Sequence, residues 1–241
     1  MVAGRVFYEI SERGRFLLRS LAHLLLPVSC LGCGQVLYWH EQHICLSCRH
    51  QLLPTLWGKG DEAPLSKRLR SLLPIRTVYA PYFFVGPMRH IIHQIKYGGH
   101  PMAAEHLGAE IAKGLKTLWR PDEYPDAVVP VPLHPKKHRI RGYNQSFLLA
   151  KGVGRSLGRP AKNWLVRTIH TPSQTTMSAA GRWDNVQNAF QSRRLPRRIR
   201  HILLVDDVIT TGATTVACGR ALLRRHPNLR LSIAALAVPW Q

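Results

Sequence analysis

The chain has 241 residues, enough for one large domain or for a domain of about 150–200 residues with a small appendage. Its 45% apolar content excludes disorder as an overall description, and no apolar run approaches the ~20 residues needed to cross a bilayer. The charge is far from balanced: 34 Lys and Arg against 13 Asp and Glu give a formal +21, a field that attracts nucleic acid, phosphorylated metabolites and anionic membranes.

Residues 5–26 place Phe16, Leu17, Leu21, Leu24 and Leu25 on one broad face and predict an amphipathic helix. Arg19 and His23 interrupt the apolar part and no A-x-A site follows, which argues against a signal peptide and for a cytoplasmic protein. Four of the five cysteines come next, as CLGC (Cys30, Cys33) and CLSC (Cys45, Cys48) with eleven residues between the pairs. Two short hairpins of this type can aim four thiolates at the corners of a tetrahedron, which zinc accepts. Gly32 and Gly34 permit a tight turn at the first pair. The module has few apolar residues to bury, so a structural zinc would supply about 10–16 kcal/mol of its folding energy. Two disulfides, or free thiols, are the alternative, and a cytoplasmic compartment disfavours the disulfides. His40, His43 and His50 lie near enough to replace a ligand, but four matched cysteines make that unnecessary. Cys218 falls in a later helical pattern and reads as a small core residue. The expected organisation is a helix and zinc module over 1–57, a linker over 58–75 and a larger domain over 76–241.

GKGDEAPLSKRLRS, residues 58–71, is polar and punctuated by Gly and Pro, and reads as linker or loop. TVYAPYFFVG (77–86) predicts a strand or hairpin, PMRHIIHQIKYGG (87–99) a short helix, and about 102–119 a longer one. DAVVPVPL (126–133), HILLVDDV (201–208) and LSIAALAVP (231–239) are apolar runs of the kind found in buried parallel strands. A basic loop containing KKHRIR (136–141) and the helix YNQSFLLAKGVGRSL follow the first run. The helix GATTVACGRALLRR follows the second. The alternation predicts an α/β fold, a mostly parallel sheet flanked by helices. GVGRSLG (152–158) has one residue too many for a dinucleotide fingerprint and follows a helix, so it is not one.

The feature that packing explains least is VDDVITTGATT, residues 205–215. Two adjacent carboxylates repel each other and resist burial. Ligands of open α/β sheets bind beyond the carboxyl ends of the strands, where Asp206 and Asp207 lie. The next residues lead into a helix start, whose free N–H groups favour phosphate. Gly212 allows close backbone approach, and Thr210, Thr211, Thr214 and Thr215 bring hydroxyls. One side of the loop suits a phosphate; the other suits sugar hydroxyls or hydrated Mg²⁺.

LLVDDVITTGAT resembles the phosphoribosyl-pyrophosphate (PRPP) signature of type I phosphoribosyltransferases. Together with VVPVPLHPKKHRIRGYNQS, IIHQIKYGG and the paired CxxC elements, it makes residues 30–240 similar to the ComF family, linked to competence and DNA utilisation. The resemblance implies a phosphoribosyltransferase-like domain with an N-terminal zinc module, binding PRPP or a related ribose phosphate with Mg²⁺. It implies that Asp206 and Asp207 hold the ribose hydroxyls and serve any catalysis, while Thr210, Thr211, Gly212, Ala213 and Thr214 hold the 5′-phosphate. The loop after the first core strand would meet pyrophosphate or substrate through Lys136, Arg141, Gly142, Tyr143, Asn144 and Gln145, with Lys137 and Arg139 beside them. A lid over 167–190 would carry Arg167, Gln174, Arg182 and Asn185. A hood over about 76–100 would carry Lys96 and Tyr97. Two functions fit: phosphoribosyl transfer to an unidentified acceptor, or a non-enzymatic module that binds single-stranded DNA through its basic surface. In either case DNA-uptake proteins are expected partners.

Overall fold

The computed structural model describes residues 27–57, 63–168 and 189–240. The expected N-terminal helix and Gln174, Arg182 and Asn185 of the lid lie outside them. The chain divides into two compact units, residues 1–51 and 52–241. Among the described residues no helix is long and apolar enough to cross a membrane.

The small unit is built from two tight hairpins and a single-turn helix. Isolated bridges join Ser29 to Val36 and Gln42 to Ile44, and helix α1 (Leu46–His50) starts from Cys45 as its N-cap. Gly34 adopts φ 77°, a left-handed conformation that suits glycine, so it makes the turn; Gly32 does not need this freedom. Leu31, Leu37 and Ile44 are buried beside the cysteines.

The large unit is an α/β layer structure. Its sheet contains β1 (Ile75–Tyr79), β2 (Tyr82–Phe83), β3 (Ala127–Pro130), β6 (His201–Val208) and β7 (Arg230–Val238). The order is β1-β7-β6-β3, β2 also pairs with β7, and every pairing is parallel. The central strands β6 and β7 are buried on both faces, as their near-continuous apolar runs require. Pro130 can end β3 because β3 is an edge strand. That edge is covered: Val128 donates to Pro160 O, and Lys162 donates to Val128 O.

Strand alternation sorts the two faces. Ile202 and Leu204 of β6 join a core with α2 (Pro64–Leu72), α7 (Ala213–Arg225) and the antiparallel pair β4 (Leu165–Arg167) and β5 (Phe190–Ser192). Leu203 and Val205 turn to the other face, where α4 (Pro101–Leu118) and α6 (Gln145–Leu157) pack closely together. Gly108 and Gly152 set that contact. A Cβ on Gly152 would strike the Glu105 carbonyl oxygen, and one on Gly108 the Leu149 carbonyl oxygen. Gly152 of GVGRSLG is therefore a packing residue, while Gly158 closes α6 in the left-handed conformation. Gly152→Val is expected to push the helices apart and cost about 1–3 kcal/mol, read as a lowered urea midpoint at unchanged m. An unchanged midpoint would contradict this packing.

Two loop expectations are corrected. Residues 64–72 form helix α2, with Pro64 at its first position and Leu65, Ser66 and Leu69 buried on one side. Residues 135–141 form helix α5 (Pro135–Arg141), closed by Gly142 in the left-handed conformation. In the hood segment β1 and β2 pair with β7 in the main sheet, and α3 (Pro87–Tyr97) follows them.

Candidate functional site

Parallel pairing puts the carboxyl ends of β3 and β6 side by side, with Pro130 paired to Val205. Asp206 and Asp207 follow at once. Both meet the N-terminus of α6, where negative charge is favoured. Ser146 Oγ donates to Asp206 Oδ1 at 2.9 Å, and Gln145 Nε2 donates to Asp207 Oδ2 at 2.9 Å. Asn144 fixes this helix start by accepting from Ser146 N and donating to Val131 O, both at 3.0 Å.

The two acids are not equivalent. Asp207 is 5% exposed and saturated: Lys96 Nζ lies 3.1 Å from Oδ2, and Val208 N donates to Oδ1 at 2.7 Å. Asp206 retains partial solvent access, and no described residue donates to its Oδ2. Burial, followed by the charge of Asp207, pushes the Asp206 carboxyl up to about 7. Donors from Asp207 N and Ser146 Oγ, and the charge of Lys96, only partly offset this.

A raised carboxyl pKa has a definite sign. The folded protein holds a proton between about pH 4 and 7 that the unfolded chain has released, so folding stability falls as pH rises through that window. Asp206→Asn removes the penalty while its amide oxygen still accepts from Ser146. The variant is expected to be more stable than the parent at pH 8, by at most about 4 kcal/mol, and to match it near pH 3. Thermal melts across pH test this; a variant less stable at pH 8 would contradict it.

After the acids the chain turns outward. Thr210 and Thr211 are exposed, Ala213 and Thr214 half-exposed. Gly212 caps α7 at φ 78°, and a Cβ there would come within 2.6 Å of Leu69 on α2, so glycine is needed on two counts. The first amides of α7 lack helical partners by geometry. Thr215, expected among the loop hydroxyls, is instead buried in the packing of α7.

The RGYNQ segment ties α6 to the helix that carries Lys96. Tyr143 Oη donates to Ile95 O at 2.7 Å, and Arg141 Nη2 donates to Tyr97 Oη at 2.9 Å, its guanidinium 4.7 Å from the Tyr97 ring. The Arg141 hydrogen bond lowers the Tyr97 hydroxyl pKa, helped by the charges of Arg141, Lys137 and Lys96. Lys136, Lys137 and Arg139 are exposed on α5. The structure thus brings together Asp206, Asp207, Lys96, Tyr97 and residues 141–145. Arg167 ends β4, with its guanidinium 5.5 Å from the Phe190 ring. Ser146 was missed by the sequence reading, although it directly follows Gln145 in the same motif. Cys218 is buried in the core as expected, and burial pushes its thiol well up.

In the small unit the ligand atoms of Cys30, Cys33, Cys45 and Cys48 all lie within 4.8 Å of one another. No disulfide joins any of the four. Cys33 Sγ and Cys45 Sγ are 3.7 Å apart, and tetrahedral Zn–S bonds of ~2.3 Å would set ~3.8 Å. Cys30 Sγ accepts from Gly32 N at 3.3 Å and Cys45 N at 3.2 Å, and Cys45 Sγ from Cys48 N at 3.4 Å. Such donors suit thiolates. Burial raises the Cys30 thiol, but the donors from Cys45, Cys33 and Gly32 outweigh it and bring it down to about 7. Four thiolates could hold a structural metal, and none of the three nearby histidines joins them.

Comparison with known proteins agrees with the motifs. No family model matches the chain. The DNA utilization protein YhgH of Escherichia coli (strain K12) is 36% identical over 214 residues, 83% of this chain and 93% of its own. Competence protein F of Haemophilus influenzae is 42% identical over 197 residues, 77% of this chain and 86% of its own. Competence protein ComFC of Bacillus subtilis is 26% identical over 218 residues, covering 90% and 85%. The PRPP amidotransferase of B. subtilis superposes on 57% of this chain and 25% of its own with a TM-score of 0.35 at 20% identity, too loosely to assign anything here.

Proposed function

Given that this chain belongs to the family of competence protein F and the DNA utilization protein YhgH, we propose that it binds PRPP, or a related ribose phosphate, in DNA uptake or utilisation. One observation supports this above the others. The paired acids, held by Gln145, Ser146 and Lys96, stand next to a solvent-facing threonine loop that opens a helix. That arrangement suits a pentose whose hydroxyls donate to carboxylate while its phosphate takes helix amides.

The two acids divide the work. Asp206, with an open oxygen, accepts from the ribose hydroxyls; Asp207, paired with Lys96, keeps the α6 start in place. Thr210, Thr211, Ala213 and Thr214 receive the 5′-phosphate. Arg141, Lys136 and Lys137 face a diphosphate, and Mg²⁺ would enter as its chelate. Transfer of the phosphoribosyl group to an acceptor, with release of pyrophosphate, is the chemistry such a site would serve. The metal in the small unit is zinc, with a structural role, because four thiolates leave no position for substrate.

A thermal-shift panel tests the ligand. PRPP with Mg²⁺ and ribose 5-phosphate should both raise the melting temperature, whereas free ribose at the same concentration should not. A panel in which neither phosphate acts would remove the reading.

A further inference from the structure

The two basic runs of the sequence fall at opposite ends of the parallel sheet. KKHRIR lies beyond the carboxyl end of β3, next to the acids. RRLPRRIR (193–200) lies before the amino end of β6, and the acids are the sixth and seventh residues of that strand, roughly 20 Å from Arg200. There the chain forms a cavity of about 830 Å³, lined by Arg194, Arg197 and Arg200, by Arg225 at the end of α7, and by Arg230 at the start of β7. No carboxylate lines it. None of these five arginines forms an ion pair with a described residue. The nearest acid, Asp126, is committed to the backbone, its Oδ2 accepting from Arg200 N at 2.7 Å and His201 N at 2.9 Å.

Plain solubility accounts poorly for this arrangement. Arg225 is explained by the carbonyls at the end of α7, which attract cations. Arg194, Arg197, Arg200 and Arg230 belong to no helix end, and two separate chain segments, 194–200 and 225–230, bring them to one concavity. Like charges so placed repel one another unless an anion lies between them.

We propose that this cavity binds the phosphodiester backbone of a single nucleic-acid strand. Five arginines from two chain segments line it, more than one small anion can engage at once, which fits successive phosphates better. A duplex presents its phosphates on a convex cylinder that meets only the rim, whereas a cavity of this volume admits a short stretch of single strand. No aromatic side chain apart from the His226 imidazole lines it, so base stacking is absent and the contact is indifferent to sequence. The site is separate from the acid pair, and a strand held there leaves that pair open.

The test is fluorescence anisotropy on the full chain with a labelled mixed-sequence 20-mer, as single strand and as duplex, at salt from 50 to 200 mM. Arg194→Gln/Arg197→Gln/Arg200→Gln is compared with the parent and with Lys136→Gln/Lys137→Gln at the other edge. The first variant should lose about tenfold or more in single-strand affinity at 50 mM, and its log–log salt slope should fall by about 2, at ~0.7 per phosphate contact. The second variant should lose less than the first. Retained melting temperature and PRPP response show that the fold and the acid site are intact; should the triple variant unfold, Arg230→Gln alone carries the comparison. Unchanged affinity and slope would overturn the proposal. So would tighter binding of the duplex, or displacement of the strand by tripolyphosphate at equal phosphate concentration, which would mark a small-anion site.

Discussion

Asp206→Asn combined with Asp207→Asn should abolish the thermal stabilisation that PRPP gives the parent protein, with the fold retained. At a hundred times its dissociation constant a ligand stabilises by about 2.7 kcal/mol, a shift of several degrees for a domain of this size. The variant should show none of it. Two amides remain where carboxylates stood, so Ser146 and Gln145 keep acceptors, and the sheet end should hold its shape. Charge is what disappears, and with it the pull on sugar hydroxyls. Lys96 then faces a neutral amide, which weakens the tie between α3 and β6 and opposes the gain that Asp206→Asn alone gives at high pH, so baseline stability shifts for reasons unrelated to the ligand. The comparison is therefore the ligand-induced shift in each protein, not the absolute melting temperature. Equal shifts in variant and parent would show that the acids do not hold the ligand.

The second large effect concerns the cysteines. The small unit buries only a few apolar side chains, among them Leu31, Leu37 and Ile44, which is too little to stabilise a fold of this length. A structural zinc contributes about 10–16 kcal/mol in peptides of comparable size. Elemental analysis should find one zinc per chain. Cys30→Ser, or an excess of chelator, should unfold residues 27–51, seen as rapid proteolysis there, while the large unit melts as before. Resistance of the metal-free small unit to protease would contradict a structural metal.

The parallel sheet was legible because apolar runs buried on both faces leave a plain signature: 201–208 and 231–239 show hardly a polar residue until the acids. The strand-to-helix turn after Asp207 was legible for a different reason, since adjacent carboxylates and a glycine among threonines have no cheap packing explanation. Helix α2 was obscured by Gly58, Gly60 and Pro64, read as breakers, and by three cations that hide the spacing of Leu65 and Leu69. Pro64 in fact occupies the one helical position that tolerates proline. Helix α5 was obscured likewise, its seven residues carrying five basic side chains. The inequality of the acids could not be read from sequence at all. It arises from Lys96 of α3 meeting Asp207 across the fold, a contact between residues 111 positions apart. Nor could the arginine cavity, which depends on parallel topology bringing residues 194–200, 225 and 230 to one edge.

Isothermal titration of the unaltered chain with ribose 5-phosphate and with 2-deoxyribose 5-phosphate addresses the pentose site most directly. The two ligands share the phosphate and differ by one hydroxyl that a carboxylate would accept from. Saturable binding of ribose 5-phosphate at one site per chain, with the deoxy sugar weaker by about tenfold or more, is the predicted result. Equal affinity for both, or no saturable binding of either, would contradict it.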